Sequence, residues 1–144
     1  MGFVSLERQN KLYVFALLPD GTLGREPLFG KDTLADGRNV RPGQQAGTIH
    51  VHPNGRFVYQ ADRNANVVDY QGKKIFEGGE NSIAVCSIDP STGEPIPIQN
   101  APARGFQPRT FFLDPTGRLL VAANIMPLEE RHGLGAAGSL PSPR

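Results

Sequence analysis

The sequence is poor in several features that would point directly to a function. Among its 144 residues there is a single cysteine, so no internal disulfide framework is available. Cys86 lies in the apolar run Ile83 to Ile88, where a small hydrophobe fits, and it is read as core packing rather than as a reactive thiol. Charge of one sign is also lacking: 15 Lys and Arg stand against 14 Asp and Glu, and a net charge of +1 argues against a nucleic-acid partner. No apolar run approaches the ~20 residues of a membrane span, so no membrane partner is expected. No charged-then-apolar leader follows Met1. Together with the single thiol this makes the cytoplasm the expected compartment. No long stretch carries the 3.6-residue apolar period of a helix. No pair or triad of His, Cys or carboxylates has metal-ligand spacing, so neither metal nor other cofactor is expected. Ser5, Ser82 and Ser87 lack the context of a nucleophile elbow.

What the chain does have is turns, with 17 Gly and 13 Pro. His52 to Arg63 reads HPNGRFVYQADR, and Asp114 to Ile125 reads DPTGRLLVAANI, aligned without a gap at an offset of 62 residues (52 to 114). In each, Pro pre-sets φ for a tight turn and Gly takes its awkward final position, with apolar runs on both sides. That pattern is a β-hairpin, made twice. Upstream, Asn81 to Ile88 (NSIAVCSI) resembles Asn10 to Leu17 (NKLYVFAL), and each precedes a turn and a further short strand. The repeating unit is therefore four short antiparallel strands, the signature of a propeller blade.

Strands are expected near residues 2–6, 11–17, 23–29, 47–52, 56–61, 81–88, 94–99, 108–113 and 118–124. The fold class is all-β: a partial β-propeller of about two to three blades, one whole and two incomplete, over residues 1–126. Closing a ring takes about four blades or more, so the chain reads as a piece of a larger ring. Its unpaired strand edges make self-association an expectation. Residues 127–144 are read as a low-complexity, disordered tail, in which Glu129, Glu130 and Arg131 are compatible with one helical turn.

In a four-stranded meander the link into the innermost strand and the link out of the second strand open on the same rim. The long connections Gly30 to Ala46 and Arg63 to Glu80 occupy those positions, whereas the opposite rim has only tight turns. On the long-loop rim gather Glu7, His50, Arg63 and Arg109, with Thr48 on the same strand face as His50. A carboxylate, an imidazole and two guanidiniums converging there suit ester hydrolysis. The His or Glu would activate water, and the Arg groups would hold an anion and stabilise the oxyanion. Plainer readings stand beside these: His50 as a satisfied core histidine, His52 as a turn-stabilising acceptor, and Glu7 with Arg8 as an exposed strand end.

The runs AGTIHVHPNGRFVYQADR, ENSIAVCSIDPSTGEPIPIQ and QPRTFFLDPTGRLLVAAN resemble the later blades of the seven-bladed propeller lactonase family, over roughly residues 2–126. That family includes propeller-type 6-phosphogluconolactonase and is similar to carboxymuconate cyclase. The resemblance implies hydrolysis of a sugar lactone in the pentose phosphate route without a metal. Glu7, His50 and Arg109 would be the catalytic residues, and Arg63 and Thr48 would bind substrate. The chain departs from the family in carrying Thr48 where a carboxylate is common, Asp62-Arg63-Asn64 for Asn-Arg-Gly, and a longer insertion from Ala65 to Glu80. The alternative is a non-catalytic propeller module whose rim loops bind a protein or a sugar.

Overall fold

The computed structural model describes residues 1–126 and the backbone of Glu129 and Glu130. In chain order the strands are β1 (Gly2–Leu6), β2 (Lys11–Leu17), β3 (Leu23–Asp32), β4 (Gln45–Val51), β5 (Phe57–Arg63), β6 (Val67–Tyr70), β7 (Lys73–Phe76), β8 (Ser82–Ile88), β9 (Pro95–Pro102), β10 (Phe106–Leu113), β11 (Leu120–Met126) and β12 (Glu129–Glu130). One sheet is a complete antiparallel meander, β4-β5-β8-β9; before it stands β1-β2-β3 and after it β10-β11. All nine expected strands are present, and the duplicated hairpins are β4-β5 and β10-β11. Most of the expected tail lies outside the described residues. Glu129–Glu130 forms a short strand parallel to β7, not a helical turn, because its backbone finds a free sheet edge there.

Two-residue alternation makes each face of the middle sheet a wall against a neighbour. Val58 and Cys86 face back and meet Leu12, with Phe3, Ile49 and Ile88 around them. Ala61 and Ile83 face forward and meet Phe111, with Tyr59, Leu120 and Ala122 around them. Burying each large apolar side chain in these layers contributes about 1.5–3 kcal/mol, so the stack is held mainly by two apolar interfaces. Cys86 is 3% exposed, and burial pushes its thiol up to about 11, as expected of a packed and unreactive cysteine. At the outer edge Lys31 pairs with Glu94, and Asn100 Nδ2 donates to Thr33 O at 2.6 Å.

The tight turns follow their sequence chemistry. His52 Nδ1 accepts from Asn54 N at 3.1 Å, the bond expected of a turn-stabilising histidine, and Asp114 Oδ2 accepts from Thr116 N at 3.1 Å in the second copy. In the β8-β9 turn the Asp89 carboxylate is held down to about 2, first by the Ser91 hydroxyl and then by backbone N–H groups of Thr92 and Ser91. Gly55 and Gly117 close the duplicated turns at φ 71° and 70°. A Cβ on Gly55 would meet nothing within 4 Å, whereas one on Gly117 would fall 2.1 Å from His52 Nε2. Gly55→Ala should therefore cost only the left-handed backbone, about 1–2 kcal/mol. Gly117→Ala should cost more, because His52 must also give up its contact with Gly117 O at 3.1 Å. Urea unfolding of the two variants side by side checks the order; equal losses would refute the inter-blade contact.

Between Arg63 and Glu80 the expected open loop is instead a hairpin. Val67–Tyr70 pairs with Lys73–Phe76 across Gln71-Gly72, both at positive φ (51° and 78°). That is the type I′ geometry favoured by strand twist, with Gln71 in place of the usual Asn or Asp.

Candidate active site

The innermost strands carry the same irregularity. In β4, Ala46 pairs with Asp62 and Ile49 with Gln60, so one extra residue bulges at Gly47-Thr48. In β10, Pro108 pairs with Asn124 and Phe111 with Ala122, which is the same bulge at the same 62-residue offset (46 to 108, 49 to 111). A bulge re-aims the side chains around it and is common beside sites. Here it turns Thr48 and Arg109 toward the rim, and Thr48 Oγ1 donates to Arg109 O at 3.0 Å, tying one innermost strand to the next.

Glu7 arrives from the other side, on the link after β1. Its carbonyl accepts from Ala46 N at 2.8 Å, which fixes it to the start of β4. Its carboxylate Oε1 takes the Arg63 Nη2 at 2.5 Å. Arg63 ends β5 and its side chain is 8% exposed, while that of Glu7 is 56% exposed. A buried guanidinium needs a partner, and Glu7 supplies it. The outcome is a recess of about 350 Å³ walled by Ser5, Glu7, Ala46, Gly47, Thr48, Arg63 and Arg109, contributed by the middle sheet and the sheets on either side of it. Arg109 makes no ion pair among the described residues. The Arg63 charge is balanced by Glu7, so the recess retains one uncompensated positive charge.

Four of the five expected site residues thus share one hollow; His50 does not line it. Its ring meets Phe111 edge-on, centroids 4.9 Å apart, within the forward wall. It stands two residues along β4 from Thr48, about 6–7 Å in an extended strand. Ser5, set aside above for want of a nucleophile-elbow context, also lines the recess, and its buried hydroxyl has no partner among the described residues. A larger hollow of about 610 Å³ opens between the 34–44 link and residues 78–82. It contains none of the expected residues; of its two carboxylates, Glu80 is taken up by Ala35 N, Ser82 Oγ and Asn100 Nδ2, and Asp36 pairs with Arg38 at 3.7 Å. The smaller recess is the better candidate because it gathers four of the expected residues and holds in Arg109 a cation with no ion pair among the described residues. Among the described residues no three His, Cys, Asp or Glu side chains gather to hold a metal ion. Among the described residues there is no helix long and apolar enough to cross a membrane.

The profile of a lactonase family described as a seven-bladed β-propeller matches residues 2–125. The chain belongs to the seven-bladed β-propeller lactonase family. Among curated relatives, 6-phosphogluconolactonase of Bacillus subtilis is 36% identical over 80 residues, 56% of this chain and 19% of that protein. The 6-phosphogluconolactonase of Formosa agariphila is 34% identical over 80 residues, with the same shares of 56% and 19%. The chain therefore spans about a fifth of the length of these relatives. Among solved structures, the periplasmic gluconolactonase of Pseudomonas aeruginosa superposes with a TM-score of 0.67 at 24% identity, covering 85% of this chain and 29% of that one. A protein from Lactobacillus plantarum gives 0.66 at 22% identity, covering 85% and 30%. Within a lactonase propeller the three sheets are successive blades, and the recess lies where two blade boundaries meet the rim.

Proposed function

We propose that this chain carries part of the substrate-binding and hydrolytic centre of a sugar-lactone hydrolase resembling propeller-type 6-phosphogluconolactonase, working in the cytoplasm. The observation that supports this reading most is the recess that brings Glu7, Thr48, Arg63 and Arg109 together from three sheets. In the proposed reaction a water oxygen attacks the ester carbonyl carbon while its proton passes to the Glu7 carboxylate. The carbonyl electron pair moves onto oxygen, and the developing oxyanion faces the Arg109 guanidinium. Collapse of that intermediate breaks the bond to the ring oxygen, which takes a proton and leaves an open-chain hydroxy acid. Arg63 orients the base through its ion pair, and Thr48 holds the Arg109 backbone. The uncompensated positive charge favours a substrate bearing an anionic group, such as a sugar phosphate. His50, one pleat further along β4, is the second acid–base group in this reading and would act on the leaving oxygen through water.

The test is lactone hydrolysis by the full-length protein, followed as acid release. Arg109→Ala and Glu7→Gln should each lower kcat/KM by about 10²-fold, and His50→Ala should lower it less. An Arg109→Ala variant as fast as the parent would refute the site assignment. A parent that opens no sugar lactone, yet binds a sugar or protein at the rim, would favour the non-catalytic module.

A further inference from the structure

Asn81 is the residue just before β8, and it belongs to neither of the strands that bear the two arginines. Its side-chain oxygen nevertheless touches both of their backbones. Oδ1 accepts from Asn64 N at 2.9 Å and from Gln107 N at 2.9 Å. Asn64 directly follows Arg63, and Gln107 lies two residues before Arg109. An amide oxygen has two lone pairs, and here both are spent on N–H groups from two different blades.

Further contacts lock the arrangement. The peptide unit between Arg63 and Asn64 is gripped at both ends, because Gln44 Nε2 reaches Arg63 O at 3.4 Å while Asn81 takes the N–H. Gln107 sits at φ 55°, a left-handed conformation that a non-glycine residue holds only when its surroundings fix it. That residue immediately precedes the Pro108–Thr110 bulge that presents Arg109. Asn81 is itself pinned, since its backbone carbonyl accepts from Ala103 N at 2.9 Å.

We infer that Asn81 is a positioning residue that sets the spacing of the Arg63 and Arg109 guanidiniums across the blade boundary. The inference rests on the site proposed above, and it assigns Asn81 no direct contact with substrate. Aspartate at this position has the same reach and also offers two acceptor lone pairs, so Asn81→Asp should keep the clamp. Asn81→Ala removes it and frees two backbone N–H groups.

Three measurements test this. In the parent, hydrogen exchange should find the Asn64 and Gln107 amides protected; if they exchange freely, the inference falls without any variant being made. In Asn81→Ala those two amides should exchange at least tenfold faster, with Asn81→Asp restoring protection. In a double-mutant cycle, Asn81→Ala should lower kcat/KM about tenfold in the parent and less than twofold in the Arg109→Ala background, because its effect passes through that arginine. Equal losses in both backgrounds would mark a merely structural role and overturn the proposal. Titration with inorganic phosphate requires no turnover, and Asn81→Ala should weaken it several-fold. A protein that binds phosphate with this dependence but opens no lactone would overturn the hydrolase reading and leave the clamp standing; phosphate affinity unchanged by Asn81→Ala would overturn the clamp.

Discussion

Asp62→Asn is expected to stabilise the folded chain well above pH 7 and to abolish a fall in stability that the parent undergoes as pH rises toward that value. Asp62 is fully buried, and burial first, with the nearby Glu80 charge adding to it, pushes its carboxyl from 3.8 to about 7 against the opposing bond from Thr33. The hydrogen bonding agrees with a group that prefers to keep its proton. Thr33 Oγ1 lies 2.8 Å from Asp62 Oδ1 and 3.0 Å from Asn10 O, but it has only one proton for the two acceptors. Asp62 Oδ2 and Gln60 Oε1 have no partner among the described residues. The only cation on the strand facing this cluster, Lys11, is paired with Asp32.

Because the folded pKa lies above the unfolded one, the folded state holds the extra proton. The stabilisation is complete below about 3.8 and is lost as pH rises through about 7. A shift of this size corresponds to roughly 4 kcal/mol. The position aligned with Asp62 in the second copy is Asn124, which is exposed and donates its amide to Ala103 O at 3.0 Å. Urea unfolding of parent and variant across this range should give curves that diverge as pH rises. A parent whose stability is flat or climbs over the same interval would refute the account. Asp89 works in the opposite sense, since its stabilisation fades only as pH falls toward about 2.

The second large effect is expected at Phe111. It is 3% exposed and joins Ala61 and Ile83 in the forward wall of the middle sheet, so truncation to Ala leaves a cavity between two sheets and should cost about 3–5 kcal/mol. Its neighbour Phe112 is 61% exposed, because no further sheet covers that face among the described residues. Phe112→Ala should change stability by less than about 0.5 kcal/mol. Adjacent residues of one type thus make an internal comparison, and denaturant midpoints read it directly. Similar losses at both sites would mean that β10 does not face the middle sheet as described. Phe111→Ala also removes the ring against which His50 is set, so kcat/KM should fall beyond what instability explains if His50 has the role proposed for it.

Strand positions and pairing were legible because alternation and turn chemistry are local. Pro53, Gly55 and Gly117 mark the duplicated turns, and Val58, Gln60 and Asp62 share a face simply because they are two residues apart. The insert hairpin was hidden because Val67-Val68 and Lys73-Lys74 break the alternation and Gln71-Gly72 is a weak form of the turn signal. Bulges are a property of two strands together, so neither Thr48 nor Arg109 discloses one, although Gly47 inside a strand was a hint. The gathering of Glu7, Arg63 and Arg109 followed from which links share a rim. The seat of His50 against Phe111 did not, since a channel mouth and an inter-sheet wall look alike in a period of two. Asn81 was visible as part of a motif, but its two bonds join segments that only the folded chain brings side by side.

The paired bulges also divide the labour along each innermost strand. Below the extra residue, Ile49 and Phe111 serve cohesion between neighbouring sheets; at it, Gly47, Thr48 and Arg109 line the mouth. Variation confined to those three codons can therefore reshape what the mouth accepts while the layers beneath stay intact, which makes them a natural starting library for changing selectivity.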